Sequence, residues 1–308
     1  MTRALDAEVV VPARCELAEG PVWDAARGLL RWVDILPGHV HALDPVTGAH
    51  TWFEAGGPVG TVGLTRDGGL VLALADRFAL AGHDGRDLRP LGDFTVDRAA
   101  VRFNDGKPGP WGDFWAGTMA WQEQGGPPCT LYRLSPGGAV TELLGDIGLS
   151  NGLDWTDDRR AFFYADSNSG GVDEFGTDPD TGALGARRRF LTVSAGIPDG
   201  LTLDAEGCLW LAVWGSGELH RYTPDGRLDT VVSLPVSQVT SVAFGGGDLD
   251  TLYITTAREN FTPADLREQP QAGHIFACAP GVTGRPPFLF GHLAAGRTLT
   301  VSIASRGT

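Results

Sequence analysis

The chain has 308 residues, of which 44 are glycine and 20 proline, and carries a formal net charge of −14. Such acidity repels phosphate backbones and anionic membrane surfaces, so it speaks against nucleic-acid and membrane partners and suits a protein that attracts cations or handles neutral small molecules. No stretch approaches the ~18 apolar residues of a membrane helix. The N-terminus lacks the apolar run of a secretory leader. Cys15, Cys129, Cys208 and Cys278 form no C-x-x-C pair and sit at no zinc-finger spacing from a histidine. Reduced thiols in a cytoplasmic protein are therefore expected.

In chain order, the sequence reads as short apolar runs broken by Gly, Pro, Asp and Asn, the grammar of strands and turns. Helical periodicity is confined to one short segment, Pro263–Gln269. A strand–turn–strand unit recurs six times. Its copies begin at Gly20-Pro21-Val22-Trp23, Val62-Gly63-Leu64, Gly106-Lys107, Gly152-Leu153-Asp154-Trp155, Gly200-Leu201 and Val242-Ala243-Phe244. Further pairs suit outer strands: His39–Leu43 with Thr51–Glu54, and Leu131–Leu134 with Val140–Leu144. The Asp-Gly pairs at Asp67, Asp84 and Asp225 read as turns.

One equivalent position precedes each unit: Glu19, Gly60, Asn104, Asn151, Asp199 and Thr240, at gaps of 41, 44, 47, 48 and 41 residues. A period of 40–50 without helices predicts an all-β, six-bladed β-propeller of four-stranded blades, with residues 1–308 as one domain. A β-sandwich would not produce spacing this regular. The Val9–Val11 run is placed to close the ring on the last blade, and Thr298–Ile303 reads as one more strand. Trp23, Trp32, Trp115, Trp155 and Trp210 are expected in the core between blades.

Innermost propeller strands line a central axis, so the six positions form a ring. Glu19, Asn104, Asn151 and Asp199 bring two carboxylates and two carboxamides to it, with Gly60 and Thr240 leaving room. Oxygen donors of this kind suit a hard divalent cation such as calcium, magnesium or manganese. The seven scattered histidines are assigned no metal role.

Glu19-Gly20-Pro21-Val22-Trp23, Arg102-Phe103-Asn104-Asp105-Gly106-Lys107, Ala116-Gly117-Thr118-Met119, Ser150-Asn151-Gly152-Leu153-Asp154-Trp155 and Pro198-Asp199-Gly200 resemble, in order, the motifs of the regucalcin/gluconolactonase/luciferin-regenerating-enzyme family. The resemblance spans residues 8 to 293. It implies a propeller that hydrolyses sugar lactones with one divalent metal, calcium, magnesium, manganese, zinc or iron. Glu19, Asn151 and Asp199 would hold the metal. Arg102 and Asn104 would bind the substrate, a small sugar lactone, and Asp199 would also accept and donate the proton. Where regucalcin-type members carry an acidic residue that contacts the sugar, this chain has Gln122, which puts the sugar preference rather than the reaction in question. The glycine-rich segment 120–128 reads either as a flap, with Trp121 walling a sugar face, or as an ordinary solvated loop.

Three functions fit these residues: a metal-dependent sugar lactonase acting on gluconolactone- or pentonolactone-type substrates, a metal-dependent esterase or organophosphate hydrolase of the same fold, and a metal-binding propeller without catalysis. The polar set Arg102, Asn104 and Gln122 favours a polyhydroxylated substrate. A monomer or weak homo-oligomer is expected.

Overall fold

The computed structural model describes residues 2–122 and 126–292. Six sheets form a closed ring. The inner strands are Ala18–Asp24, Val59–Leu64, Val101–Pro108, Ser150–Trp155, Ile197–Leu203 and Val239–Gly245, and each is followed outward by antiparallel neighbours. Each inner strand packs against the next, and the sixth packs against the first. The expected outer pairs form, with His41 opposite Trp52 and Leu134 opposite Val140. The three Asp-Gly turns have glycine at φ near +80°. The expected helix is a single turn, Asp265–Glu268.

Closure follows the expected route: Glu8–Val11 is the outer strand of the last blade, antiparallel to Ile275–Cys278. The N-terminal segment thus completes the last blade and ties the two ends of the ring together. The segment before it was not foreseen. Arg3–Asp6 adds a parallel fifth strand to blade 5, with Arg3 opposite Thr230. The strand expected at Thr298–Ile303 lies outside the described residues.

Aromatic and aliphatic side chains fill the wedges between blades. Trp32, Trp115, Trp155 and Trp210 are fully buried and Trp23 is 5% exposed, as expected of core residues. Trp115 meets Trp155 edge-to-face at 5.0 Å, joining blades 3 and 4. Cys15, Cys129, Cys208 and Cys278 are free thiols.

Beyond the last blade, the chain crosses beneath the ring. The Thr283 carbonyl accepts from Ala205 N, Gly284 N donates to the Leu249 carbonyl, and Gly291 N donates to the Gly112 carbonyl. Phe290 exchanges backbone hydrogen bonds with Leu64 and Arg66. This strap bridges blades 2, 3, 5 and 6, and Arg285 reaches blade 4 through Asp154 at 3.4 Å. It floors the lower end of the central channel.

Candidate active site

All six inner strands break register with their neighbours at the same level. The breaks fall between Glu19 and Val22, Val59 and Thr61, Phe103 and Gly106, Ser150 and Leu153, Pro198 and Leu201, and Val239 and Ser241. Each interval contains, or begins with, one of the six ring positions. A β-bulge bends its strand and re-aims a side chain, so six bulges at one level turn six positions toward a common axis. Glycines permit the crowding this creates. A Cβ on Gly152 would lie 2.4 Å from Leu201 N, and one on Gly200 2.1 Å from the Ser241 hydroxyl.

Glu19, Asn104, Asn151 and Asp199 are 4–6% exposed. Glu19 and Asp199 lie within side-chain hydrogen-bonding reach of each other. Burial, then the nearby charges of Glu19 and Asp105, hold the Asp199 carboxyl well above the usual range. Burial and Asp105 likewise push Glu19 upward. Among the described residues, neither carboxylate forms an ion pair with a lysine or arginine.

The carboxamides are held from one side. Asn151 Nδ2 donates to Ser167 Oγ at 3.0 Å, and that hydroxyl donates to the Pro198 carbonyl at 2.7 Å. Asn104 Nδ2 donates to the Ser150 carbonyl at 2.9 Å. These contacts fix the amide nitrogens and so decide which way the oxygens point. Asn104 Oδ1 accepts from Arg102 Nη1 at 2.8 Å. Asn151 Oδ1 and Asp199 Oδ1 are buried with no hydrogen-bond partner. Thr240, at its own ring position, turns its hydroxyl to the Ala18 carbonyl at 2.6 Å.

Unpartnered buried oxygens are rare in folded proteins. Here they accompany two carboxylates that repel each other. A hard divalent cation would satisfy both conditions at once, so the donor set fits one. Glu19, Asn151 and Asp199 could hold it.

Arg102 is 2% exposed, and burial pulls its guanidinium down to about 10. Its Nη1 also donates to the Phe103 carbonyl, while Nε has no partner. Its guanidinium carbon lies 5.5 Å from the centre of the Trp121 ring. Trp121 is 42% exposed, and its Nε1 donates to the Arg98 carbonyl at 3.0 Å. It is therefore a tethered rim residue with one face toward Arg102. Gln122 is exposed at the same rim. The flap expected over 120–128 falls in part on residues 123–125, outside the described residues.

Three residues were missed by sequence reasoning. Asp105 is 8% exposed and lines the cavity just below the ring. Glu259, from the sixth blade, acts on Arg102 as its leading favourable charge. Ser167 orients Asn151. Asp105 stood inside a quoted motif, but strict alternation along a strand would turn it away from the side Asn104 faces. A second group of ligand-type side chains, Cys15, Asp34 and His41, is buried in blade 1. There Asp34 accepts the backbone N–H groups of Glu16 and Leu17, as Asp166 does for Gly148 and Leu149 in blade 4. That repeated role identifies Asp34 as a loop anchor.

The family description SMP-30/Gluconolactonase/LRE-like region matches residues 17–258. A 6-deoxy-6-sulfogluconolactonase of Pseudomonas putida is 36% identical over 277 residues, covering 89% of this chain and 94% of that protein. A pentonolactonase of Haloferax volcanii is 38% identical over 285 residues, covering 91% and 96%. The solved structure of a calcium-binding protein, regucalcin, from Agrobacterium tumefaciens superimposes with a TM-score of 0.87 at 27% identity, covering 96% of this chain and all of that one.

Proposed function

The chain belongs to the SMP-30/gluconolactonase/LRE-like family, and on that premise we propose that it is a sugar lactonase whose hydrolysis depends on a divalent metal. The observation that carries this reading is the pair of unpartnered buried oxygens, Asn151 Oδ1 and Asp199 Oδ1, beside a carboxylate pair that forms no ion pair among the described residues, with Arg102 acting on Glu19 only as a nearby charge. The lactonase relatives of Pseudomonas putida and Haloferax volcanii support an aldonolactone as substrate, of the glucono or pentono type.

In this reading Glu19, Asn151 and Asp199 hold the metal, which when bound supplies a Lewis acid for the lactone carbonyl and acidifies water. Asp199 accepts the proton of the attacking water and returns one to the ring oxygen as the ester C–O bond breaks. A carboxylate has two oxygens, so ligation and proton transfer are compatible in one residue. Arg102 and Asn104, tied to each other at 2.8 Å, present donors to the sugar hydroxyls and to developing negative charge. Gln122 and Trp121 border the sugar at the rim, where Gln122 offers both a donor and an acceptor without a charge.

The test is hydrolysis of gluconolactone and pentonolactones, followed as acid release, with an aryl ester alongside. Each is run with chelator and again after metal restoration. Lactone turnover abolished by chelator, restored by metal and lost in Asp199→Asn is expected. Turnover indifferent to chelator and to that substitution would refute the mechanism, and preference for the aryl ester would refute the substrate class.

A further inference from the structure

The bulge in the third inner strand spans Phe103 to Gly106, so it carries two residues, Asn104 and Asp105, into the channel region. In the other five strands, the residue after the ring position is Gly20, Thr61, Gly152, Gly200 or Ser241. Asp105 is thus the one ionisable side chain in this second layer. Its Oδ1 accepts from Gly106 N at 2.7 Å, which fixes the carboxylate, and the Gly106 carbonyl is itself held by Thr61 Oγ1 at 2.9 Å.

The layers beneath it are charged as well. Lys107, two residues along the strand, donates to the Leu201 carbonyl at 3.0 Å and pairs with Asp154 at 3.4 Å. Asp154 is also paired with Arg285 of the strap. Asp105, Lys107, Asp154 and Arg285 line one cavity between ring and strap. Asp154 thus has two paired cations, whereas Asp105 forms no ion pair among the described residues and feels Lys107 only as a nearby charge. The nearest charges that act on the ring from below are those of Asp105 itself, which raises both Glu19 and Asp199.

We propose that Asp105 is a positioning residue for the divalent cation of the axial ring: its fixed carboxylate, one layer below Glu19 and Asp199, supplies a third negative charge that tightens cation binding without touching the substrate. This rests on the metal-dependent reading above. Carboxylate count is a main determinant of affinity in oxygen-ligand cation sites. A charge on a buried side chain, here 8% exposed, acts over several ångströms with less screening than one at the surface. Without the cation, the same charge adds to the repulsion inside the ring.

These two consequences have opposite signs, and Asp105→Asn tests both, since it keeps the size and the Gly106 contact. Calorimetric titration of metal-free wild type and variant with Ca²⁺ and Mn²⁺ is expected to show at least tenfold weaker binding in the variant. At saturating metal, kcat should remain within about threefold of wild type. The metal-free variant should melt at a higher temperature than metal-free wild type. Metal affinity within twofold of wild type would overturn the proposal. So would a lowered melting temperature of the metal-free variant, which marks a structural residue, or loss of kcat at saturating metal, which marks a catalytic one. If wild type binds neither ion, the metal-dependent reading fails and this inference fails with it; if wild type binds and the variant binds equally, this inference alone fails.

Discussion

Buried carboxylates occupy two kinds of place in this molecule. At the blade corners they are paired with a cation and with hydrogen-bond donors. Asp204, fully buried in blade 5, accepts from Glu206 N, Cys208 N, Trp210 Nε1 and Arg221 Nε, all at 2.8–3.0 Å. Blade 3 repeats the arrangement with Asp113, Trp115 and Arg133, and blade 1 pairs Asp24 with Arg31 at 3.1 Å. On the axis, Glu19 and Asp199 are equally buried yet face each other, with Asp105 below and no lysine or arginine paired to them among the described residues. A buried charge without a partner costs several kcal/mol, so a fold keeps such a group where another requirement outweighs stability. The corners show that this chain can neutralise a buried carboxylate. On the axis no ion pair does so among the described residues, and that contrast marks the ring as the candidate site.

Substitutions at the two places should therefore behave oppositely. The largest effect is expected for Asp199→Asn, with turnover falling about 10³-fold, or about 4 kcal/mol of barrier. The metal-free variant should nevertheless melt higher than wild type, because a carboxyl whose ionisation burial and its neighbours oppose is replaced by a neutral amide. Lactonase kinetics and thermal melting check the two halves. Arg221→Met should do the reverse. It leaves Asp204 charged in the core with its three remaining donors but no ion pair, so urea unfolding should show a loss of about 3 kcal/mol, while kcat in the folded fraction stays unchanged. A corner variant that spares stability, or an axial variant that lowers it, would break the comparison.

A smaller effect separates the places by pH. Glu19 is raised from its ordinary 4.5 to about 8 by burial and then by Asp105. The folded, metal-free protein thus binds more protons than the unfolded chain between those values, and its stability falls as pH rises through that window, by on the order of 2 kcal/mol from pH 6.5 to 8. Denaturant midpoints measured from pH 6.5 to 8 should drop without metal and flatten when a divalent ion is added. His41, buried in blade 1 and pulled down to about 3 by burial, then by His50 and His39, has the opposite sign. The unfolded chain binds the extra proton there, so stability falls as pH drops below about 6.5, and metal should leave that limb unchanged. The smallest effect belongs to the rim. Trp121→Ala removes the ring beside Arg102, worth about 1 kcal/mol at a half-exposed cation–π contact, and should raise KM a few-fold at unaltered kcat.

Much of this site was legible because propeller geometry converts sequence period into spatial equivalence. Glu19, Asn104, Asn151 and Asp199 stand at one phase of a repeat, and one phase means one height on the axis. Asp105 was hidden by the same logic. Alternation assigns neighbours on a strand to opposite faces, and the extra residue of a bulge cancels that rule without leaving a composition signal. Glu259 was hidden for another reason: it lies 157 positions from Arg102 in the chain, and no local pattern joins them.

The sequence by itself determined the class of fold, the number of blades, the ring positions and the oxygen character of their donors, because strand length, turn chemistry and repeat period are local properties. The tertiary structure decided which of those donors are left without partners, which second-layer residue sits beneath them, and that the segment from Thr283 to Gly291 floors the channel. Those outcomes depend on bulge register, on contacts between distant blades and on the desolvation of groups packed together, and each exists only once the ring has closed.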